Sequence, residues 1–474
     1  MAWKEECGVF GVWNHEEAAR LAYLGLYAMQ HRGQESAGIS SLASSGQHLH
    51  HKGLGLVGDV FSDEDLRRLE GASAIGHVRY STTGQNLLTN AQPLAANLLS
   101  GPVAVAHNGN IVNTEHLKKE LQTQGAIFQG TNDTEILLHL ISRNPSRDLI
   151  RCLQEALPKV VGAYSFVVLS HQALIGIRDP QGFRPLVLGR KPNARGAEAL
   201  ILASETCALD LIGAELIREI EPGEIFWVDQ DGEHSVRFAP KAQPARCIFE
   251  HVYFSRPDSV VFGQSVYESR KQFGRWLAKE AGLQADLVIP VPDGGVPAAL
   301  GFSAESGIPF EFGIIRNHYV GRTFIQPHQS IRSFGVKIKL NPQAAVLKGK
   351  KVVVVDDSLV RGTTSQKIIS LVRAAGASEV HLRIASPPTI GPCYYGVDTP
   401  QKKQLIAAEQ SRDEICQFVG ADSLAYLSLE GLFAALGETP NPQKKSFCAA
   451  CFDGHYPTPL FDELQKTSST LETR

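Results

Sequence analysis

No stretch of this sequence is apolar over the length that a membrane span needs, and neither sign of charge is in surplus. Lysine and arginine number 46 against 49 acidic residues, a net charge of −3, which gives no basic footprint for nucleic acid and no polybasic patch for a membrane surface. The first residues, MAWKEE, lack the apolar core of a secretory signal, and no arginine-rich transit segment precedes the first motif. Internal repeats are missing too. No Gly-Lys-Ser/Thr is present, which excludes a Walker A phosphate loop. The expectation from these absences is a cytoplasmic protein, where eight cysteines point to metal ligation or catalysis rather than to disulfides. What is present is ample: 474 residues, 43% hydrophobic and 20% charged, enough for two or three domains with full cores.

The stretch Val352–Thr364, VVVVDDSLVRGTT, concentrates the chemistry. Four consecutive valines predict a strand buried on both faces, as in a parallel sheet. Asp356 and Asp357 follow where that strand should end, and ligands of open α/β sheets lie outside the carboxyl ends of the strands. Ser358, Arg361, Gly362, Thr363 and Thr364 then lead into an apolar-periodic run, Gln366 to Ala375, closed by Gly376. A glycine-containing loop at a helix N-terminus offers backbone N–H groups and hydroxyls to a phosphate. The carboxylates suit sugar hydroxyls and a hard cation such as Mg²⁺. Asp-Asp alone serves equally well as a helix cap; the thirteen-residue string as a whole resembles the PRPP-binding signature of type I phosphoribosyltransferases. Alternating strands and helices around it, with strands at Leu287–Val291, Phe310–Ile315, Val352–Val355 and Val380–Ala385, predict a parallel α/β sheet.

At the other end, Cys7 opens CGVFG. A free thiol is only a few per cent thiolate near neutrality, whereas an α-amino group titrates close to pH 8 and can act as a base. Removing residues 1–6 would place thiol and amine on one residue, nucleophile and base together. An isolated cysteine here would read as a small buried residue opening a strand. The strings HRGQESAG (His31–Gly38), GHVRYSTTG (Gly76–Gly84), HNGN (His107–Asn110) and TNDTE (Thr131–Glu135) change that reading. With Cys7 they resemble, in order, the glutaminase domain of class II, or N-terminal-nucleophile (Ntn), amidotransferases. The resemblance implies that Arg79 binds the glutamine carboxylate and Asp133 its ammonium, while Asn108 and the Gly109 N–H form an oxyanion hole. A helix is predicted from Glu16 to His31, ended by Gly33, and another from Thr131 to Arg143.

Val288–Ala298, VIPVPDGGVPA, is a strand running into a glycine-rich turn suited to a pyrophosphate. Ile315–Pro327, IRNHYVGRTFIQP, is cationic and reads either as a solvated loop or as a lid. Cys448 and Cys451 form CAAC; by itself this pair fits zinc, an iron–sulfur cluster, redox chemistry or two buried thiols.

Taken together, the motifs resemble those of the amidophosphoribosyltransferase family, and its iron–sulfur subgroup in particular. That resemblance implies an α+β Ntn domain of four αββα layers over residues 7–238 and an α/β type I phosphoribosyltransferase domain over 246–437. Residues 1–6 would be a cleaved propeptide and 438–474 a tail carrying CxxC, which the Pro-, Ser- and Thr-rich composition predicts on the surface. It implies PRPP contacts from Asp293, Gly294, Asp356, Asp357, Ser358, Arg361, Gly362, Thr363 and Thr364, under a lid with Arg316 and Arg322. One Mg²⁺ would sit at Asp356 and Asp357; the family's third contact is a Ser or Thr, and here Gly294 has no side chain to give. The resemblance also implies that Cys247, Cys393, Cys448 and Cys451 fill the four ligand positions of a [4Fe–4S] cluster, with Zn²⁺ as the chemical alternative, leaving Cys152, Cys207 and Cys416 for the core. The implied reaction yields 5-phosphoribosylamine from PRPP and glutamine, in a homotetramer inhibited by purine nucleotides, without nucleic-acid or membrane partners. Two rivals remain: a sugar-phosphate aminating amidotransferase, which should lack VVVVDDSLVRGTT, and a PRPP-sensing regulator, which would have no use for Cys7, Arg79, Asn108 and Asp133.

Overall fold

The computed structural model describes residues 7–80, 87–317, 340–397, 399, 401–439, 441 and 445–462. Two antiparallel sheets make up the first half. One runs β11 (Glu215–Glu219), β9 (Val187–Pro192), β10 (Glu198–Ala203), β1 (Gly8–Trp13), β4 (Ser73–Arg79), β2 (Ser36–Leu42) and β3 (His48–Leu54). The other runs β13 (Gly232–Arg237), β12 (Glu224–Asp229), β8 (Leu174–Arg178), β7 (Gly162–Ser170), β6 (Gly101–Ile111) and β5 (Leu94–Leu98).

Strand alternation decides which residues face which layer. In β1, Phe10 and Val12 pack on Ala18, Leu21 and Ala22 of the helix Ala18–Ala28. Val9, pointing the other way, meets Ala104, Ala106, Val167 and Leu169 of the second sheet. In β6 the order is complementary: Ala104 and Ala106 face the first sheet, while Val103 and Val105 pack on Leu137 and Leu153 from the helices Thr134–Ser142 and Leu149–Ala156. The result is the four-layer αββα sandwich that the motifs imply. Glycines hold the sheets close; a Cβ at Gly11 would lie 2.8 Å from Val167.

The first helix is shorter than its periodicity predicts and does not end at Gly33. It stops at Ala28, and a turn carries the chain to Gly33, where a Cβ would lie 2.6 Å from the Arg79 backbone nitrogen. Gly33 is there for close approach to β4, not as a helix cap. HNGN, which in isolation reads as a turn, lies inside β6. The helix expected from Thr131 starts at Thr134.

No strand occupies residues 238–245, which link the first half of the chain to the second. Beyond it, β14 (Arg246–Cys247) precedes a small hairpin of β15 (Val260–Val261) and β16 (Gln264–Ser265). The second core is a parallel sheet of β17 (Leu287–Pro290), β20 (Lys351–Asp356), β21 (Glu379–Ile384) and β22 (Ser423–Tyr426). The four valines are buried on both sides, as predicted. Val352 and Val354 pack on Ile368, Ile369 and Val372 of the helix Thr363–Ala374, and Val353 and Val355 on Phe273, Ala298 and Phe302. Two expectations fail here. Phe310–Ile315 is not a sheet strand: Phe310 makes a single bridge to Val288, and β18 (Ile314–Arg316) pairs antiparallel with β19 (Leu340–Pro342). The tail does not merely wrap the surface either. Its apolar FCAACF segment places β23 (Phe447–Cys448) beside β14 and buries Phe447, Cys448, Ala449 and Phe452. Among the described residues, no helix is long and apolar enough to cross a membrane.

Two candidate active sites and a cavity of thiols

Cys7 is buried at the head of β1, one residue before the Gly8–Val78 pair, so it faces the end of β4 that carries Arg79 and Tyr80. Its thiol donates to the Tyr80 carbonyl at 3.5 Å. Its own carbonyl accepts from Arg32 Nε at 3.0 Å, and Arg32 is almost fully buried. Arg79 is buried beside Ser36 at the end of β4.

The neighbouring sheet supplies the other residues. Asn108 is fully buried on β6, and its Nδ2 donates to Ser204 Oγ at 3.3 Å; the same hydroxyl accepts the Val9 N–H at 3.0 Å. One hydroxyl thus ties Asn108 to the strand that begins after Cys7. Gly109 adopts φ +143°, and a Cβ there would lie 2.0 Å from the Ala163 carbonyl oxygen, so only glycine fits. The Asp133 carboxylate accepts the Ile111 N–H at 3.0 Å and lies 3.4 Å from His107 Nδ1. Burial pushes its pKa up, but His107 and the hydrogen bonds outweigh burial and hold it below the ordinary carboxylate range. A buried, ionised carboxylate is suited to an ammonium group.

In the second half, Asp356 and Asp357 are both buried where β20 ends. Burial, then Asp357, raises the Asp356 pKa well above the ordinary range. Asp357 is raised to about 6 by burial, with the Ser358 hydroxyl (2.6 Å from Oδ1) and Arg270 partly offsetting it. Gly362 has φ +72° and leads directly into the helix from Thr363, earlier than the expected Gln366. The Gln366 N–H makes the helix's first bond, to the Gly362 carbonyl at 2.8 Å, so the preceding amides of Thr363, Thr364 and Ser365 have no intrahelical partner. Gly294 closes over the acids: a Cβ there would lie 2.0 Å from Asp357 Oδ2. The glycine-rich turn and the Asp-Asp loop therefore form one site. Asp293 is ion-paired with Arg316, and Arg361 reaches outward to Gln404 Oε1 at 2.7 Å. Arg322, with His318 and Gly321 of the expected lid, lies outside the described residues, as do residues 1–6.

The four cysteines named as ligands converge. Cys247, Cys393, Cys448 and Cys451 line one cavity, with aromatic neighbours Phe183 and Tyr395. Cys247 and Cys448 are register partners across β14 and β23. Burial, then Cys393, pushes Cys451 well above the usual thiol range, and burial raises Cys448 to about 12. Such thiols ionise only for a bound cation. Among the described residues, no three or more His, Cys, Asp or Glu side chains are grouped tightly enough to hold a single metal ion. Cys152 and Cys207 sit in other cores, and Cys416 is half-buried.

Residues 77–210 match the glutamine amidotransferase domain family, and residues 268–385 the phosphoribosyl transferase domain family. The chain is 54% identical over 454 residues to amidophosphoribosyltransferase 1, chloroplastic, of Arabidopsis thaliana, covering 96% of this chain and 79% of that one. With amidophosphoribosyltransferase of Bacillus subtilis it shares 46% identity over 461 residues, 97% of this chain and 95% of that one. The chain belongs to the amidophosphoribosyltransferases.

The architecture agrees: glutamine phosphoribosylpyrophosphate amidotransferase from B. subtilis, complexed with ADP and GMP, matches with a TM-score of 0.90 at 46% identity, over 96% of this chain and 98% of that one. As an amidophosphoribosyltransferase, the protein transfers glutamine nitrogen to PRPP, giving 5-phosphoribosylamine in the first step of purine synthesis.

The two halves touch at the glutaminase site of this amidophosphoribosyltransferase. A Cβ at Gly396, in the loop after Cys393, would lie 2.9 Å from the carbonyl carbon of Gly109, and Asn110 Nδ2 donates to the Tyr394 carbonyl at 2.9 Å. Several residues of this region escape sequence reasoning: Arg32, Arg184, Ser204, Glu205 and Glu250. Arg32 stands inside HRGQESAG, but nothing local announces that it is buried, since arginine is exposed by default.

Proposed function

We propose the following division of labour within the amidophosphoribosyltransferase reaction. With residues 1–6 removed, the Cys7 α-amine takes the thiol proton and the thiolate attacks the glutamine amide carbon. Arg79 holds the substrate carboxylate and Asp133 its ammonium. Asn108 and the Gly109 N–H take the oxyanion charge. Collapse expels ammonia and leaves a thioester, which water hydrolyses to glutamate. Ammonia then displaces pyrophosphate from the anomeric carbon of PRPP.

One geometric detail supports the role of Asn108. Its Oδ1 is buried without a partner among the described residues. A half-turn of the amide would let Oδ1 accept the Ser204 hydroxyl proton and leave Nδ2 to donate to an oxyanion.

At the second centre, Asp356 and Asp357 hold the ribose hydroxyls. Ser358, Gly362, Thr363, Thr364 and Arg361 receive the 5-phosphate at the helix N-terminus. Asp293 and the backbone of Gly294 meet the pyrophosphate, under a lid carrying Arg316 and Arg322. Two adjacent buried carboxyls, both raised by burial, with a glycine pressed against one of them fit a single Mg²⁺ completed by substrate and water. That ion would neutralise charge on the departing pyrophosphate.

The four-thiol cavity supports a structural [4Fe–4S] cluster held by Cys247, Cys393, Cys448 and Cys451. Its lining of four cysteines with apolar and aromatic neighbours is the donor set that a cluster or the alternative Zn²⁺ would take. The domain limits we assign are 7–238, 246–437 and a tail 438–474. We further assign a cytoplasmic homotetramer inhibited by purine nucleotides. The B. subtilis relative complexed with ADP and GMP supports that regulation.

The observation that carries this reading is the meeting of Gly294 with Asp357, which joins two distant motifs into one anionic sugar-phosphate pocket. Two measurements test it. Pyrophosphate release should require PRPP together with glutamine or ammonia; release with neither donor would refute the assignment. Elemental analysis should return about four irons and four acid-labile sulfides per chain. Zinc without sulfide would replace the cluster by the alternative metal.

A further inference from the structure

Glu250 lies after the linker, in the half that binds PRPP, yet its fully buried carboxylate sits between two arginines of the glutaminase half. Arg32 approaches it with both terminal nitrogens, Nη2 to Oε1 at 2.7 Å and Nη1 to Oε2 at 3.0 Å. Arg184 Nη1 lies 3.3 Å from Oε1, and the Ser255 hydroxyl donates to Oε2 at 2.6 Å. The remaining nitrogen of Arg32, Nε, donates to the Cys7 carbonyl at 3.0 Å. Arg184 Nε in turn donates to the Tyr395 carbonyl at 3.0 Å, and the Tyr395 N–H donates to Cys393 Sγ at 3.3 Å. A chain of polar contacts, buried as far as Tyr395, thus runs from the Cys7 carbonyl, through Glu250, to the loop of Cys393.

We propose that Glu250 is a positioning residue for amide hydrolysis, supplied to the glutaminase site by the phosphoribosyltransferase half. Its bidentate grip fixes the plane of the Arg32 guanidinium. That plane fixes the Cys7 carbonyl, and the carbonyl fixes the direction in which the thiol leaves the backbone. Bidentate guanidinium–carboxylate pairs carry this kind of geometric information. Nucleophile placement is unforgiving: an error of about 1 Å can cost about 100-fold in rate. Glu205 also binds Arg32, at 2.5 Å from Nη1, so losing the Glu250 charge does not strand the guanidinium. The proposal rests on Cys7 being the nucleophile.

The test compares glutamine- and ammonia-dependent pyrophosphate release in the full-length enzyme. Glu250→Gln keeps the side-chain shape and should lower kcat with glutamine about 10- to 100-fold, with the KM for glutamine little changed because Arg79 and Asp133 are untouched. Turnover with ammonia should stay within about threefold. Glu250→Asp, which keeps the charge but shortens the reach, should show the same selective loss, to a smaller degree. It supplies the readout if Glu250→Gln does not fold. Equal loss with both donors would make Glu250 a purely structural residue and overturn the proposal, as would wild-type values for both. Cys7→Ala run in parallel separates the two readings: glutamine-dependent turnover surviving in that variant would remove Cys7 as nucleophile, whatever Glu250 does.

Discussion

Cys7→Ala should abolish glutamine-dependent formation of 5-phosphoribosylamine while leaving the ammonia-dependent reaction in place. Loss of a covalent nucleophile removes the whole thioester route, and comparable deletions elsewhere cost on the order of 10⁴–10⁶ in rate. The second centre would not feel it. Alanine at position 7 removes a sulfur that hydrogen bonds weakly, at 3.5 Å, to the Tyr80 carbonyl, and the Arg32 contact is made to the backbone. Glutamate and pyrophosphate release, followed with each donor in turn, check this. Failure with ammonia as well would mean that the two centres are not separable.

Asp357→Asn should do the opposite and depress turnover with either donor, by about 100-fold or more, because it removes charge from the pocket both donors share. The pH dependence follows from the same pair. The folded-state pKa of Asp357 is raised from 3.8 to about 6, and that of Asp356 is raised well above its ordinary value, by burial first and then by its neighbour. The folded chain therefore holds protons that the unfolded chain has already released. Stability from Asp357 is fully present below about pH 4 and is lost as pH rises through about 6. A cation with PRPP reverses the preference, because it needs the ionised carboxylates. Calorimetric affinity for Mg²⁺ with PRPP should thus rise steeply between about pH 5 and 7. In Asp357→Asn both the affinity and most of its pH dependence should disappear. An affinity flat over that interval in the wild-type chain would show that these carboxyls do not meet the ligand.

The parts of this molecule legible in sequence are those where local pattern and chemistry coincide. Four valines before two aspartates can hardly be anything but a doubly buried strand ending at a site, and Val352–Asp357 is that. Asn108 and Gly109 were recognisable by type, although their setting inside a long central strand was not; a short Asn-Gly string favours turns, and β6 overrides that preference through its two flanking strands. The stretch Phe310–Ile315 shows the limit of pattern. Its apolar content suggests a strand, but the parallel sheet closes with β22 at the far side instead, from a stretch (SLAY) with little alternation.

Gly33 and the tail depart from their local pattern for a common reason. A glycine after a helix and a segment rich in Pro, Ser and Thr have ordinary local explanations. What overrides them is distant: the backbone of Arg79 in one case, the β14 edge in the other. The arginine–glutamate chain was illegible for the same cause in stronger form. Arg32 and Glu250 are separated by 218 positions, and neither sits in a pattern that marks burial.

Glutamine hydrolysis by this chain depends on a thiol and an amine sharing one terminal residue. The direct measurement is the intact mass of fully active protein, with its first residue read by terminal sequencing. The predicted result is a chain that begins at Cys7. Fully active material still beginning at Met1, with the Cys7 nitrogen locked in a peptide bond, would contradict it.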